Sequence, residues 1–199
     1  MTCLTSKAVL LFREQNVTDV QQVAFSALFG PVFTAMKYAW RDEKPRLRAE
    51  IADISNIGYS GALLAGDGQR RLHGRANQLW HTDNTFKEIL ARCSLLSARE
   101  IPASGGNTQF ADMRAAYDVL PEARRRKIDG LIVEHSIFCS REKMGFTDFS
   151  EAVRAALPPM PQVLVRQHAA TGRNALYLAS HASHVIGCQL IRGESCWRN

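Results

Sequence analysis

The stretch Asn77-Gln78-Leu79-Trp80-His81-Thr82-Asp83-Asn84-Thr85-Phe86 decides how the rest of this chain is read. On an extended segment side chains alternate, so His81 and Asp83, two residues apart, point to the same side. A neutral imidazole and a carboxylate aimed at one point, completed by a second His from elsewhere, form the triad that holds iron(II) and leaves positions open for oxygen chemistry. The spacing by itself is common, and a surface or hydrogen-bonded His81 also satisfies it. A second stretch, Gly105-Gly106-Asn107-Thr108-Gln109-Phe110, narrows the reading: a glycine turn presents a hydroxyl, Thr108, 25 residues after Asp83.

Outward from these motifs, hydrophobic patterning predicts short strands and a few helices. Residues 8–12 form an apolar run that reads as a strand. Thr18 offers an N-cap to a helix over 19–29 that stops at Gly30-Pro31. Residues 36–74 read as a long loop, a mobile lid in function, with a short strand near 51–54. Strands are predicted at 92–99 and 107–110 on either side of a Pro-Ala-Ser-Gly-Gly turn, and further ones at 131–138, 163–168 and 175–178. Two short helices are predicted at 112–120 and 121–127. Short strands, glycine turns and outlying helices together suggest an α+β, mainly β, jelly roll with peripheral helices.

The 199 residues, 46% of them hydrophobic and 22% charged, suit one globular domain and exclude a wholly disordered chain. A net charge of +6 favours an anionic partner without choosing one. The basic run Arg124-Arg125-Arg126-Lys127 reads as a solvated helix end, and without interleaved aromatics it gives no support to nucleic-acid binding. The five cysteines, Cys3, Cys93, Cys139, Cys188 and Cys196, are odd in number and lack a Cys-x-x-Cys spacing, which argues against a disulfide framework and a zinc site and fits a reducing cytoplasm. No apolar run near the start approaches the length of a membrane span or a cleavable signal, so no membrane partner is expected. A homo-oligomer is left open.

The chain resembles the taurine and 2,4-dichlorophenoxyacetate dioxygenase family in segments spread over nearly its whole length. They include Val9-Leu10-Leu11-Phe12-Arg13, Phe29-Gly30-Pro31, Gln78-Leu79-Trp80-His81-Thr82-Asp83, residues 104–110, Asp112-Met113-Arg114-Ala115-Ala116-Tyr117 and Thr171-Gly172-Arg173-Asn174-Ala175-Leu176-Tyr177. Ala52-Asp53-Ile54-Ser55-Asn56 and Ser180-His181-Ala182-Ser183-His184-Val185 resemble the aryloxyalkanoate branch more than the taurine branch. The resemblance implies a double-stranded β-helix in which His81 and Asp83 bind Fe(II), Thr108 hydrogen-bonds a carboxylate of 2-oxoglutarate, and Asn77 faces the substrate pocket. It implies a reaction coupling oxidative decarboxylation of 2-oxoglutarate, with O2, to hydroxylation of a small anionic substrate. For an aryloxyacetate, hydroxylation beside the ether oxygen gives a hemiacetal that collapses to a phenol and glyoxylate.

The family's distal His ligand, and the Arg that pairs with the far carboxylate of 2-oxoglutarate, have no counterpart in this sequence. Its pattern dissolves after Gly187, and its amino end starts near the family's first buried strand. The expectation is therefore an incomplete domain over 1–187, short at both ends and lacking the last barrel strands, with a divergent tail over 188–199. The alternative to an active enzyme is a catalytically inactive truncated remnant or subunit. Of the remaining histidines, His135 reads as a hydrogen-bonded structural residue on a core strand, His168 and His181 as contacts to an anionic substrate, and His73 and His184 stay unassigned. Trp80 reads as core packing.

Overall fold

A computed structural model of the chain describes residues 2–34, 46–58, 60–66 and 68–187. The expected tail at 188–199, and part of the predicted lid, lie outside the described residues. Thr18 opens the longest helix as the sequence predicts. Its hydroxyl accepts from Gln21 N, and the Gln21 side chain accepts from Thr18 N, a reciprocal capping box ahead of α2 (Asp19–Ala27). Thr18→Ala is expected to weaken α2 by about 1 kcal/mol, read as faster amide exchange in the helix.

The two predicted short helices form as α4 (Met113–Asp118) and α5 (Glu122–Ile128), after α1 (Thr2–Lys7) and α3 (Gln69–Arg75). Asp112 caps α4 and also takes the Arg114 guanidinium on both oxygens, while Arg114 Nη1 donates to the carbonyl of Thr5 and so ties α1 to α4. The basic run of α5 is largely exposed, as read from the sequence.

The predicted strand at 131–138 is cut short. β1 (Ile132–His135) ends because Ser136 turns its side chain to cap α6 (Ile137–Glu142), accepting from Phe138 N. Downstream come α7 (Glu151–Ala156), β2 (Met160–Val163), β3 (Val165–Gln167), β4 (Asn174–Leu176) and β5 (Ala182–Val185). β1 is the centre of an antiparallel sheet ordered β2-β1-β5, and β3 pairs with β4 in a second sheet. Leu164 links the two: its N–H donates to Leu131 O, its carbonyl accepts from Tyr177 N, and its side chain is buried with Val133, Ala182 and Val185. A second cluster, Phe86 with Ile137 and Phe138, packs against Phe149, Val153 and Leu157. It sets the 80s segment against α6.

Several expected strands are absent among the described residues, which show a mixed α and β fold of seven α-helices and five short strands. Residues 8–12 form no strand: Ala8 and Glu14 adopt left-handed backbone on either side, and Leu11 and Phe12 are exposed. The strand near 51–54 is replaced by an isolated bridge between Ile57 and Leu63, and α3 lies where the long loop was expected. Residues 92–99 and 107–110 run without a backbone ladder among the described residues. A segment becomes a strand only where a second backbone, about 4.8 Å away, satisfies its amides. The turn between them forms as predicted, with Gly105 and Gly106 both left-handed; a Cβ on Gly106 would come within 3.0 Å of Pro102 Cγ.

Candidate metal and substrate site

After α3 the chain makes a short 3-10 turn, Ala76–Gln78, then runs out through His81. The segment is not a strand, yet it aims the two predicted ligands at each other: His81 Nε2 lies 3.4 Å from Asp83 Oδ1. Each is also held from behind. His81 Nδ1 lies 2.7 Å from the carbonyl of Leu79, which can only accept, so Nδ1 carries a proton and Nε2 faces Asp83. Ser94 Oγ donates to the other carboxylate oxygen, Asp83 Oδ2, at 2.5 Å.

The donor set fits a metal. Two donors on neighbouring corners of one coordination sphere, with bonds of about 2.1 Å, stand about 3 Å apart. Without a cation, the Asp83 carboxylate raises the pKa of His81 and His81 lowers that of Asp83. The proton held by this pairing is the charge that a metal would displace. Among the described residues no group of three His, Cys, Asp or Glu side chains converges on one point.

His181, just before β5, is buried with its ring 5.8 Å from that of His81 and 5.1 Å from Phe86. Burial, then the nearby Arg141 charge, push its pKa down to about 3, so it is neutral at ordinary pH. Asn77 sits on the 3-10 turn with Oδ1 accepting from Arg141 Nη2 at 3.1 Å. Arg141, on α6 and only 6% exposed, also reaches His73 Nε2 and Ser140 Oγ. No local pattern marks this buried cation, since Arg141 beside Glu142 resembles an ordinary solvated helix end. His73, left unassigned by the sequence, belongs to this network and stands edge-on to Phe146.

A cleft of about 350 Å³ opens beside the ligand segment, lined by Trp80, His81 and Thr82 on one side and Gln109, Phe110 and Leu178 on others. The hydroxyl-bearing motif is thus brought against the ligand segment, with exposed Thr108 one residue before the cleft wall. Trp80 is 57% exposed on this cleft, which corrects its reading as core packing: no second layer among the described residues covers its ring. His168 lies apart, in the β3–β4 turn with Nδ1 2.9 Å from Thr171 Oγ1. His184 is on the exposed face of β5 beside Glu134 and Ser183.

His135 is buried as expected, but it stacks on Tyr177, and neither ring nitrogen reaches a hydrogen-bond partner among the described residues. Burial lowers its pKa, with the Tyr177 backbone acting weakly the other way. His73 is lowered to about 3 by burial and by Arg141. Groups whose folded pKa lies below their unfolded value take up protons on unfolding. Their contribution is full above the ordinary value of 6.5 and is lost as pH falls from there toward about 3. Urea titrations are expected to show stability falling below pH 6.5 by on the order of 1.4 kcal/mol per pH unit for each of His73 and His181. Unchanged midpoints between pH 7 and pH 4.5 would contradict this.

Comparison with known proteins bears on the same residues. The model of the family described as "Taurine catabolism dioxygenase TauD, TfdA family" matches residues 1–194. The chain is 44% identical over 192 residues to the alpha-ketoglutarate-dependent 2,4-dichlorophenoxyacetate dioxygenase of Cupriavidus pinatubonensis, covering 96% of this chain and 67% of that protein. It is 34% identical over 197 residues to the (S)-phenoxypropionate/alpha-ketoglutarate-dioxygenase of Sphingobium herbicidovorans, covering 94% and 63%. The crystal structure of AAD-2 in complex with Mn(II) and N-oxalylglycine superposes with a TM-score of 0.90 at 40% identity, covering 94% of this chain and 65% of that one. The chain spans about two thirds of the length of these relatives.

Proposed function

Because the chain belongs to the taurine catabolism dioxygenase TauD, TfdA family, we propose that it serves Fe(II)- and 2-oxoglutarate-dependent hydroxylation of a small organic carboxylate of the aryloxyalkanoate class. The observation that carries this reading is the convergence of His81 Nε2 and Asp83 Oδ1, each tethered from behind. Bound iron(II) supplies the oxygen activation that couples decarboxylation of 2-oxoglutarate to succinate with hydroxylation of the substrate. His81 and Asp83 are two of its three protein ligands.

The remaining residues bind and orient. Thr108 donates its hydroxyl to a carboxylate of 2-oxoglutarate at the edge of the cleft. Asn77, fixed by Arg141, faces the substrate. His181 offers a neutral imidazole beside the ligand pair, and the buried Arg141 charge behind it favours an anion there. Residues 1–187 belong to part of a double-stranded β-helix domain, and 188–199 diverge from its sequence pattern. The free thiols of Cys93 and Cys139 support a cytoplasmic setting.

Adding Fe(II) and 2-oxoglutarate to the anaerobic protein is expected to give the weak visible charge-transfer band of a chelated complex. Oxygen and 2,4-dichlorophenoxyacetate are then expected to yield succinate and the phenol. Absence of the band would overturn the metal assignment. A band without turnover would favour the second reading, a catalytically inactive remnant or subunit of such an enzyme.

A further inference from the structure

The two oxygens of Asp83 are differently employed. Oδ1 faces His81 Nε2 at 3.4 Å, whereas Oδ2 accepts from Ser94 Oγ at 2.5 Å. Ser94 lies in the segment 92–99, which forms no strand among the described residues, so this contact joins the ligand loop to a second stretch of backbone. We propose that Ser94 is a positioning residue for the metal site: by occupying Oδ2 it presents Asp83 as a one-oxygen ligand through Oδ1. The proposal rests on reading His81 and Asp83 as ligands.

The chemistry explains why this matters. A carboxylate is free to turn about its terminal bond and to bind a cation through one oxygen or both, and chelation through both takes up a coordination position that oxygen chemistry requires. Ligating carboxylates are commonly oriented by a hydrogen bond to the oxygen that does not bind, as ligating imidazoles are by a carbonyl. Both devices stand here side by side, Ser94 behind Asp83 and the Leu79 carbonyl behind His81. Ser94 is exposed, so water can replace its hydrogen bond when it is removed, but not the direction the hydroxyl imposes. Its exposure also means that Ser94→Ala removes little packing.

The test combines Mn(II) titration followed by electron paramagnetic resonance with crystal structures of the metal-free proteins. Ser94→Ala is expected to weaken Mn(II) binding by about tenfold or more and to let the Asp83 carboxylate turn from His81. Ser94→Thr, which keeps the hydroxyl, is expected to restore both. Wild-type affinity and an unturned carboxylate in Ser94→Ala would overturn the proposal, as would equal losses in the Ala and Thr variants. Failure of the unmutated chain to take up Mn(II) would strike at the ligand assignment instead. The metal-free structures would then still decide, a turned carboxylate upholding Ser94 as the residue that orients Asp83 and an unturned one overturning it.

Discussion

His81→Ala is expected to abolish the visible charge-transfer band and to weaken Mn(II) binding by more than about 100-fold, the upper end of what loss of an outer-shell partner alone costs. The reason is chelation: Nε2 and Oδ1 are already 3.4 Å apart, so one cation meets both without rearrangement. Removing the imidazole leaves a single carboxylate, itself half taken by Ser94. Asp83→Ala should have a comparable effect, with a second signature in the metal-free protein. The hydrogen bond to Asp83 is the largest influence raising the pKa of His81, so its removal should lower that pKa, measured by NMR titration of the imidazole. Unaltered Mn(II) affinity in both variants would mean that the pair is only an ordinary histidine–carboxylate contact.

Arg141→Met is expected to destabilise the fold by about 2–4 kcal/mol, because the buried polar groups it serves lose their donor. Asn77 Oδ1, Ser140 Oγ and His73 Nε2 all face the guanidinium, and the residue is 6% exposed, so water does not readily take its place. The variant carries an electrostatic signature that packing loss alone would not produce. Burial lowers the pKa of both His73 and His181 most and Arg141 lowers it further, so removing the guanidinium from a still-buried site should raise both part of the way toward 6.5. The acid range over which these buried histidines lose stability would then end at a higher pH. Denaturant titration measures the first effect and imidazole NMR the second; wild-type His73 and His181 titrations in a folded Arg141→Met protein would contradict the electrostatic account.

The local signals in this sequence were read correctly where local physics decides. Thr18 and Gln21 sit three apart, which is all a capping box requires. Asp112 and Pro121 begin helices because a side-chain acceptor and a fixed φ act on their immediate neighbours. The glycine pair at 105–106 makes its turn because only glycine adopts that backbone without cost. Strands were less legible. Residues 8–12, 92–99 and 107–110 have apolar or alternating patterns, yet a strand is a relation between two backbones, and pattern cannot state whether the second is present. Ser136 shows the converse: residues 131–138 are expected to form one strand, and a single hydroxyl divides them into β1 and α6.

The reactive groups of the candidate site are legible in the amino-acid order alone. That order places an imidazole and a carboxylate two residues apart and a hydroxyl-bearing glycine turn downstream, because reactive groups and their short-range spacing are written directly into the chain. The tertiary structure decided what surrounds them. It buried Arg141 from α6 against Asn77, 64 residues away, brought His181 against His81, and laid Ser94 on Asp83. Burial and long-range contact arise only when distant segments pack together, and they turn charged or neutral side chains into a shaped, electrically biased site.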